Sequence, residues 1–226
     1  MLLEVIATTL SEAIDIERFG GDRIELVTGV SDGGLTPSIA LVDKVSNSVN
    51  IPVYVMLRPH SKSFVYDQND KEVILNDLKA IKNTKAKGIV FGALNEDGSI
   101  DEELLKEVIK NKGHLNLVFH RAIDRSKDVI ESTKLLLNYD IERILTSGGY
   151  DTAIEGYKVI NEMVELTKEK ITILAGAGLK PSNIKEFVSK TNVTEVHMGS
   201  GVKYDGSNMN DISEKLIIET KSLIKK

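Results

Sequence analysis

The sequence predicts an α/β fold, a single-domain (β/α)8 TIM barrel over residues 1–226. Three observations point there. Eight short apolar runs alternate with eight longer amphipathic runs along 226 residues, about 28 residues per unit, the size of a minimal strand–loop–helix–loop module. The short runs are continuously apolar instead of alternating, as suits a parallel sheet covered on both faces. Glycine-rich turns follow the sixth, seventh and eighth strands, whereas the first strand runs into Thr8-Thr9. A doubly wound open sheet, the runner-up, would carry its glycine turn after the first strand.

Taken in order, the strands are expected at Leu2–Ala7, Arg23–Val27, Val53–Leu57, Gly88–Phe91, Leu115–His120, Arg143–Thr146, Ile171–Ala175 and Glu195–Met198. The helices between them are expected at Leu10–Phe19, Ser38–Asn47, Asp70–Lys85, Asp101–Asn111, Lys127–Asn138, Asp151–Thr167, Ser182–Thr191 and Asp211–Ile224. Ser11 with the acidic residues Glu12 and Asp15 suits the positive end of the first helix. Pro37 suits an early position of the second, where a missing N–H is harmless. Asp101 followed by Glu102 and Glu103 opens the fourth, and Pro181-Ser182-Asn183 the seventh. Gly20-Gly21, Gly88 and Gly113 punctuate helix ends.

Composition narrows the function. There is no cysteine, which excludes disulfides, zinc knuckles, iron–sulfur ligation and a cysteine nucleophile. A net charge of −5 lacks the basic footprint of a nucleic-acid binder. No apolar run approaches the roughly 20 residues that cross a bilayer, and Glu4 comes too early for a signal peptide. A cytoplasmic protein without membrane or nucleic-acid partners is expected.

In such barrels chemistry gathers at the C-terminal ends of the strands. Glu4 and Glu25 each interrupt an apolar strand, and a buried carboxylate is costly unless it is paired or functional. Two readings stay open: a buried ion-pair network, or acid–base work with His120 and His197 as further catalytic candidates. Arg58, His120, Arg121 and His197 are the expected counter-charges. Glu195 and His197 share one face of their strand. Arg58 and Arg121 suit an anionic group. Thr146 and Ser147, with Gly176 and Gly178 in AGAG and Gly199 and Ser200 in GSG, add hydroxyls and bare backbone N–H groups of the kind that hold phosphate. The loop from Pro59 to Asp70, with Phe64 and Tyr66, suits a lid. A second loop, Gly29–Pro37, has three glycines that permit unusual dihedrals beside a ligand.

The motifs DRIELVTG (Asp22–Gly29), GGLTPS (Gly33–Ser38), IPVYVMLRP (Ile51–Pro59), FHRAID (Phe119–Asp124), RILTSGG (Arg143–Gly149), LAGAGL (Leu174–Leu179) and EVHMGSG (Glu195–Gly201) together resemble the CutC copper homeostasis family, over roughly residues 2 to 201. The resemblance implies a cytoplasmic (β/α)8 barrel, a homo-oligomer such as a dimer, and a part in copper tolerance or trafficking; the cofactor is otherwise unknown. The copper ligands proposed in some members are cysteines. Here the corresponding stretches read Glu4-Val5-Ile6-Ala7 and Glu25-Leu26-Val27-Thr28. Cu(I) prefers thiolate or thioether ligands, so only a His/Met site, with His120 and His197 as its histidines, remains open to direct binding. The alternative is a barrel enzyme, isomerase- or lyase-like, for a small anionic or phosphorylated substrate.

Overall fold

Eight parallel strands close into one barrel in chain order: β1 (Leu2–Ala7), β2 (Arg23–Leu26), β3 (Val53–Met56), β4 (Gly88–Phe91), β5 (Asn116–Phe119), β6 (Arg143–Thr146), β7 (Thr172–Ala175) and β8 (Glu195–Met198). The computed structural model describes residues 1–168 and 170–225. β8 pairs back onto β1, with Glu4 opposite His197. Helices α1 (Leu10–Phe19), α2 (Ile39–Ser46), α3 (Gln68–Ile81), α4 (Glu102–Asn111), α5 (Val129–Leu136), α6 (Tyr157–Thr167), α7 (Pro181–Lys190) and α8 (Glu214–Leu223) form the outer ring. Among the described residues no helix is long and apolar enough to cross a membrane.

The helix boundaries follow their caps. Thr9, not Ser11, caps α1, its side chain accepting from the Glu12 N–H at 3.1 Å. Ser38 caps α2, so Pro37 lies just before that helix. Asp67 closes a capping box with Asp70, which starts α3 two residues earlier than expected. The stretch 151–156 forms turns, and α6 begins only at Tyr157. Ser213 caps α8, which therefore begins after the expected Asp211. Asp101 caps α4, as its acidic sequel suggests. Gly20 ends α1 at φ +97°, a conformation that glycine adopts without strain.

Gly88 does not end a helix; it begins β4 facing the barrel interior. A Cβ there would sit 2.6 Å from Tyr54 Cδ1 and 2.8 Å from the Asn116 carbonyl. The missing side chain lets the Tyr54 ring cross the barrel floor.

Two apolar layers result from strand alternation. Leu3, Val5, Ala7, Ile24, Leu26 and Val55 face outward into the helix layer. Val27, Tyr54, Met56, Val90, Val118, Leu145 and Leu174 form a separate inner cluster. That inner cluster does not fill the barrel by itself. Several other inward positions carry charge: Arg23 and Glu25 on β2, Glu4 on β1, Arg143 on β6, Glu195 and His197 on β8.

These side chains form a continuous polar spine. At the floor the Tyr54 hydroxyl donates to Glu142 at 2.5 Å, and Arg143 Nη1 donates to the Tyr54 oxygen at 3.0 Å. Arg143 Nε and Arg23 Nη2 both donate to Glu195 Oε2 at 2.6 Å. Arg23 Nε then pairs with Glu4 Oε2. Two guanidiniums and two carboxylates therefore neutralise one another in the barrel centre. Arg23 and Glu4 are each only 1% exposed. Breaking such a pair from one side strands the partner charge and costs about 3–5 kcal/mol.

Arg23→Leu is accordingly expected to lower unfolding stability by about 3–5 kcal/mol, read as a fall in the urea midpoint. A midpoint shift below about 1 kcal/mol would show that Glu4 and Glu195 find other compensation.

Candidate active site

Above the spine the barrel opens into a cavity of about 650 Å³ at the C-terminal strand ends. The inward side chains change character at this level. Glu4 is the last fully compensated group: Oε2 is held by Arg23 and Oε1 lies 2.7 Å from His197 Nδ1. Burial alone would raise its pKa, but Arg23 and His197 outweigh burial and hold it down at about 2.

Glu25 is one step higher and differs sharply. Its nearest charge partner is His197 Nε2, at 3.8 Å, beyond hydrogen-bond range. Its Oε1 is buried without any partner. Burial pushes the Glu25 carboxyl up to about 7, with the Glu4 charge adding to the rise and the His197 and Arg23 charges opposing it. His197 is itself raised: burial opposes its charge, but Glu25 and Glu4 on either side favour it. One carboxylate is thus fixed as an anion, and the second is poised to exchange a proton near neutral pH.

His120, at the end of β5, completes the far wall. Its Nδ1 accepts the Ala122 N–H at 3.1 Å, which assigns the proton to Nε2. Nε2 is buried and has no acceptor. Burial, reinforced by the Arg58 charge, pulls the imidazole down to about 3, so it is neutral at physiological pH. A Cβ on Gly92 would lie 2.7 Å from its Cε1, so that glycine makes room for the ring.

Arg58 is clamped from two sides. Its Nη1 lies 3.3 Å from the carbonyls of Asp32, Gly33 and Gly34. Its guanidinium sits 4.6 Å from the Phe64 ring centroid, a cation–π distance. Phe64 also packs on His120 at 5.0 Å. The Pro59–Asp70 loop thus folds onto the mouth through Phe64, while Tyr66 is buried beside His60. Arg58 Nε has no acceptor.

The glycine turns lie opposite. Ala177 and Gly178 adopt φ +79° and +73°. Ala177, Gly178, Gly199, Ser200 and Gly201 line the cavity, and among the described residues their N–H groups meet no protein acceptor. Gly176 lies deeper, its N–H spent on the Thr146 carbonyl at 3.0 Å. Arg121 and Lys180 add cationic groups to the lining.

Two expected anion-binding residues are placed elsewhere. Thr146 and Ser147 are fully buried and absent from the cavity wall. Their hydroxyls hydrogen-bond Asp124 at 2.5 and 2.9 Å, and Asp124 also binds Arg121 Nε at 2.8 Å. They brace the β6 turn and orient Arg121. The counter-charges of Glu4 are Arg23 and His197, not Arg58, His120 or Arg121. Arg23 stands two residues before Glu25 on β2, so strand alternation was the available signal.

A cation would find few free ligands here. Among the described residues Glu4, Glu25 and His197 bring donor atoms within 4.8 Å of one another. Both Glu4 oxygens and His197 Nδ1 are already engaged, and Arg23 adds a positive charge beside them. His120 stands outside this group and presents N–H, not a lone pair. This donor set does not fit Cu(I), which seeks sulfur.

A family model described as CutC family matches residues 1–202. The chain belongs to the CutC family. The human copper homeostasis protein cutC homolog is 38% identical over 92% of this chain and 78% of its own length. The family protein CutC of Photobacterium profundum is 35% identical over 87% and 80%. Among solved structures, CutC from Streptococcus agalactiae superposes with a TM-score of 0.83 at 28% identity, covering 88% of this chain and 98% of that one. Phosphoribosyl anthranilate isomerase from Thermococcus kodakaraensis superposes at 0.67 and 17% identity, over 100% and 99%, and shows the shared barrel fold alone.

The raised Glu25 carboxyl has a thermodynamic signature. Between its ordinary 4.5 and about 7 the folded state retains a proton that the unfolded state has lost. Stability from this group is therefore complete below about 4.5 and declines as pH rises toward 7, by at most about 1.4 kcal/mol per pH unit. Urea unfolding across that window should show the decline in the native chain, and Glu25→Gln should remove it. Identical pH slopes for the two proteins would contradict the assignment.

Proposed function

We propose that this CutC-family protein takes part in copper homeostasis, as its mammalian relatives are named, through a barrel-mouth acid–base pocket for a small anionic or phosphorylated ligand. The observation that carries the pocket reading is Glu25: a buried carboxyl with an unpaired oxygen, poised near neutrality beside His197. Groups held in that state serve general acid–base chemistry. Arg58, Arg121, Lys180 and the unpaired N–H groups of the β7 and β8 turns favour an anion on the same cavity. The reaction class is isomerase- or lyase-like, in which one group removes and returns a proton. The family resemblance also supports a cytoplasmic location and a homodimer.

Copper enters this reading through the ligand or its product, not through a tight metal centre. The absence of cysteine and the engaged state of Glu4 and His197 support that choice.

Anaerobic titration with Cu(I) against a chromogenic chelator should show no competition by the metal-free protein. Sub-nanomolar uptake of one equivalent would overturn this part of the proposal. In parallel, small phosphorylated compounds should raise the melting temperature, and Arg58→Ala should abolish that rise. Phosphorylated ligands that leave the native melting temperature unchanged would remove the anion-pocket reading.

A further inference from the structure

Six buried side-chain polar atoms lack a partner among the described residues: Arg23 Nη1, Glu25 Oε1, Arg58 Nε, His60 Nδ1, Tyr66 Oη and His120 Nε2. Three of these residues, Glu25, Arg58 and His120, line the same cavity. An unmet buried polar atom is costly, and three around one space point to a ligand that completes them. Their characters are complementary. Glu25 offers a proton acceptor; His120 Nε2 and Arg58 Nε offer N–H donors.

The His120 donor is also fixed in kind. The Ala122 N–H occupies Nδ1, so the imidazole presents N–H and cannot act as a base toward the cavity without changing tautomer. A buried neutral N–H donor is suited to an oxygen that gains negative charge during reaction. A carbonyl oxygen becoming an enolate is such an oxygen.

Resting on the anionic-pocket reading above, we infer that the ligand is a phosphorylated hydroxy-carbonyl compound whose carbonyl oxygen is bound by His120 Nε2–H and Arg58 Nε–H, and that Glu25 removes the proton α to that carbonyl. In this step the C–H bond breaks and its proton passes to the Glu25 carboxylate. Its electron pair forms the C=C bond of an enolate, and the carbonyl π pair moves onto oxygen, where the two N–H donors stabilise it. The carboxylic acid then returns a proton to the same or the neighbouring carbon. No oxidant, reductant or metal is needed for the balance. The phosphate rests against the Gly178 and Ser200–Gly201 N–H groups.

The test is proton exchange in D2O. The native protein is incubated with dihydroxyacetone phosphate, ribose 5-phosphate and ribulose 5-phosphate, and loss of the α-proton signal is followed by NMR. Binding of each compound is measured separately by the shift in melting temperature. At least one compound is expected to bind and to exchange its α-proton for deuterium. Glu25→Gln should retain binding and lose exchange by at least 100-fold. His120→Phe, which keeps the aromatic contact with Phe64, should slow exchange 10-fold or more with little change in binding. Binding without exchange would overturn this inference and leave the anionic pocket standing. Exchange that survives Glu25→Gln would also overturn it. Failure of all three compounds to bind would overturn the pocket reading and this inference together.

Discussion

The ion pair between Arg23 and Glu4 is the constraint on which the rest of the barrel interior depends. Both groups lie on the barrel axis, where water is excluded, and neither is tolerable alone. Arg23 reaches down to Glu195, which Arg143 shares; Glu4 reaches up to His197. The pair therefore fixes the relative placement of β1, β2, β6 and β8 by charge, beyond what their apolar faces specify. It also decides which carboxylate is free. With Glu4 consumed by Arg23 and His197, Glu25 is left one layer higher with a single distant cation and an empty oxygen. The same residue type on adjacent strands thus becomes a fixed anion in one place and a proton-exchanging group in the other.

That division follows the direction of the barrel. Toward the N-terminal ends the polar atoms are consumed: Tyr54, Glu142, Asn116, Arg143 and Glu195 satisfy one another. Toward the C-terminal ends they are left open, at Glu25, His120 and Arg58. Arg23 Nη1 apart, the unmet hydrogen-bonding capacity of the barrel interior lies at the mouth and the compensated charges below it, as expected where function is grafted onto a rigid scaffold. The loops follow the same rule. Phe64 lies against both Arg58 and His120, and the Gly33–Gly34 carbonyls hold the Arg58 fork, so the protein itself fixes both side chains.

Much of this was legible in the residues. Strands were readable because continuous Val, Ile and Leu runs of four to six residues cannot form two-sided helices of that length. Helix starts were less so, because caps compete: Thr9 and Ser11 are both good caps, and Asp67 wins over Asp70 only through the reciprocal bond between them. Glu4 and Glu25 announced themselves as carboxylates inside apolar strands. Of their partners His197 was legible, but Arg23 was not, because it stands at a strand start, where arginine is usually a solvated end. Thr146 and Ser147 misled for a different reason. A hydroxyl at a strand end looks like a ligand donor, and only the fold brings Asp124 from the preceding turn to occupy it.

The copper association of the family relatives and the chemistry of this pocket make different demands. A Cu(I) carrier needs two or more soft donors converging on one point. Here the converging donors are an ionisable carboxyl, a neutral imidazole N–H and a guanidinium, which are hard groups suited to oxygen. His197, the histidine nearest to carboxylates, is held toward its cationic form by Glu25 and Glu4, and a cationic imidazole has no lone pair for a metal. Met56, one of two methionines that line the cavity, belongs to the inner apolar cluster with Leu145 and Val90. Each of these arrangements is compatible with the proposed proton transfer on an oxygen-rich anion. The copper association carried by the relatives' names thus meets, in this chain, a pocket built from oxygen-directed hydrogen-bonding groups and without thiolate.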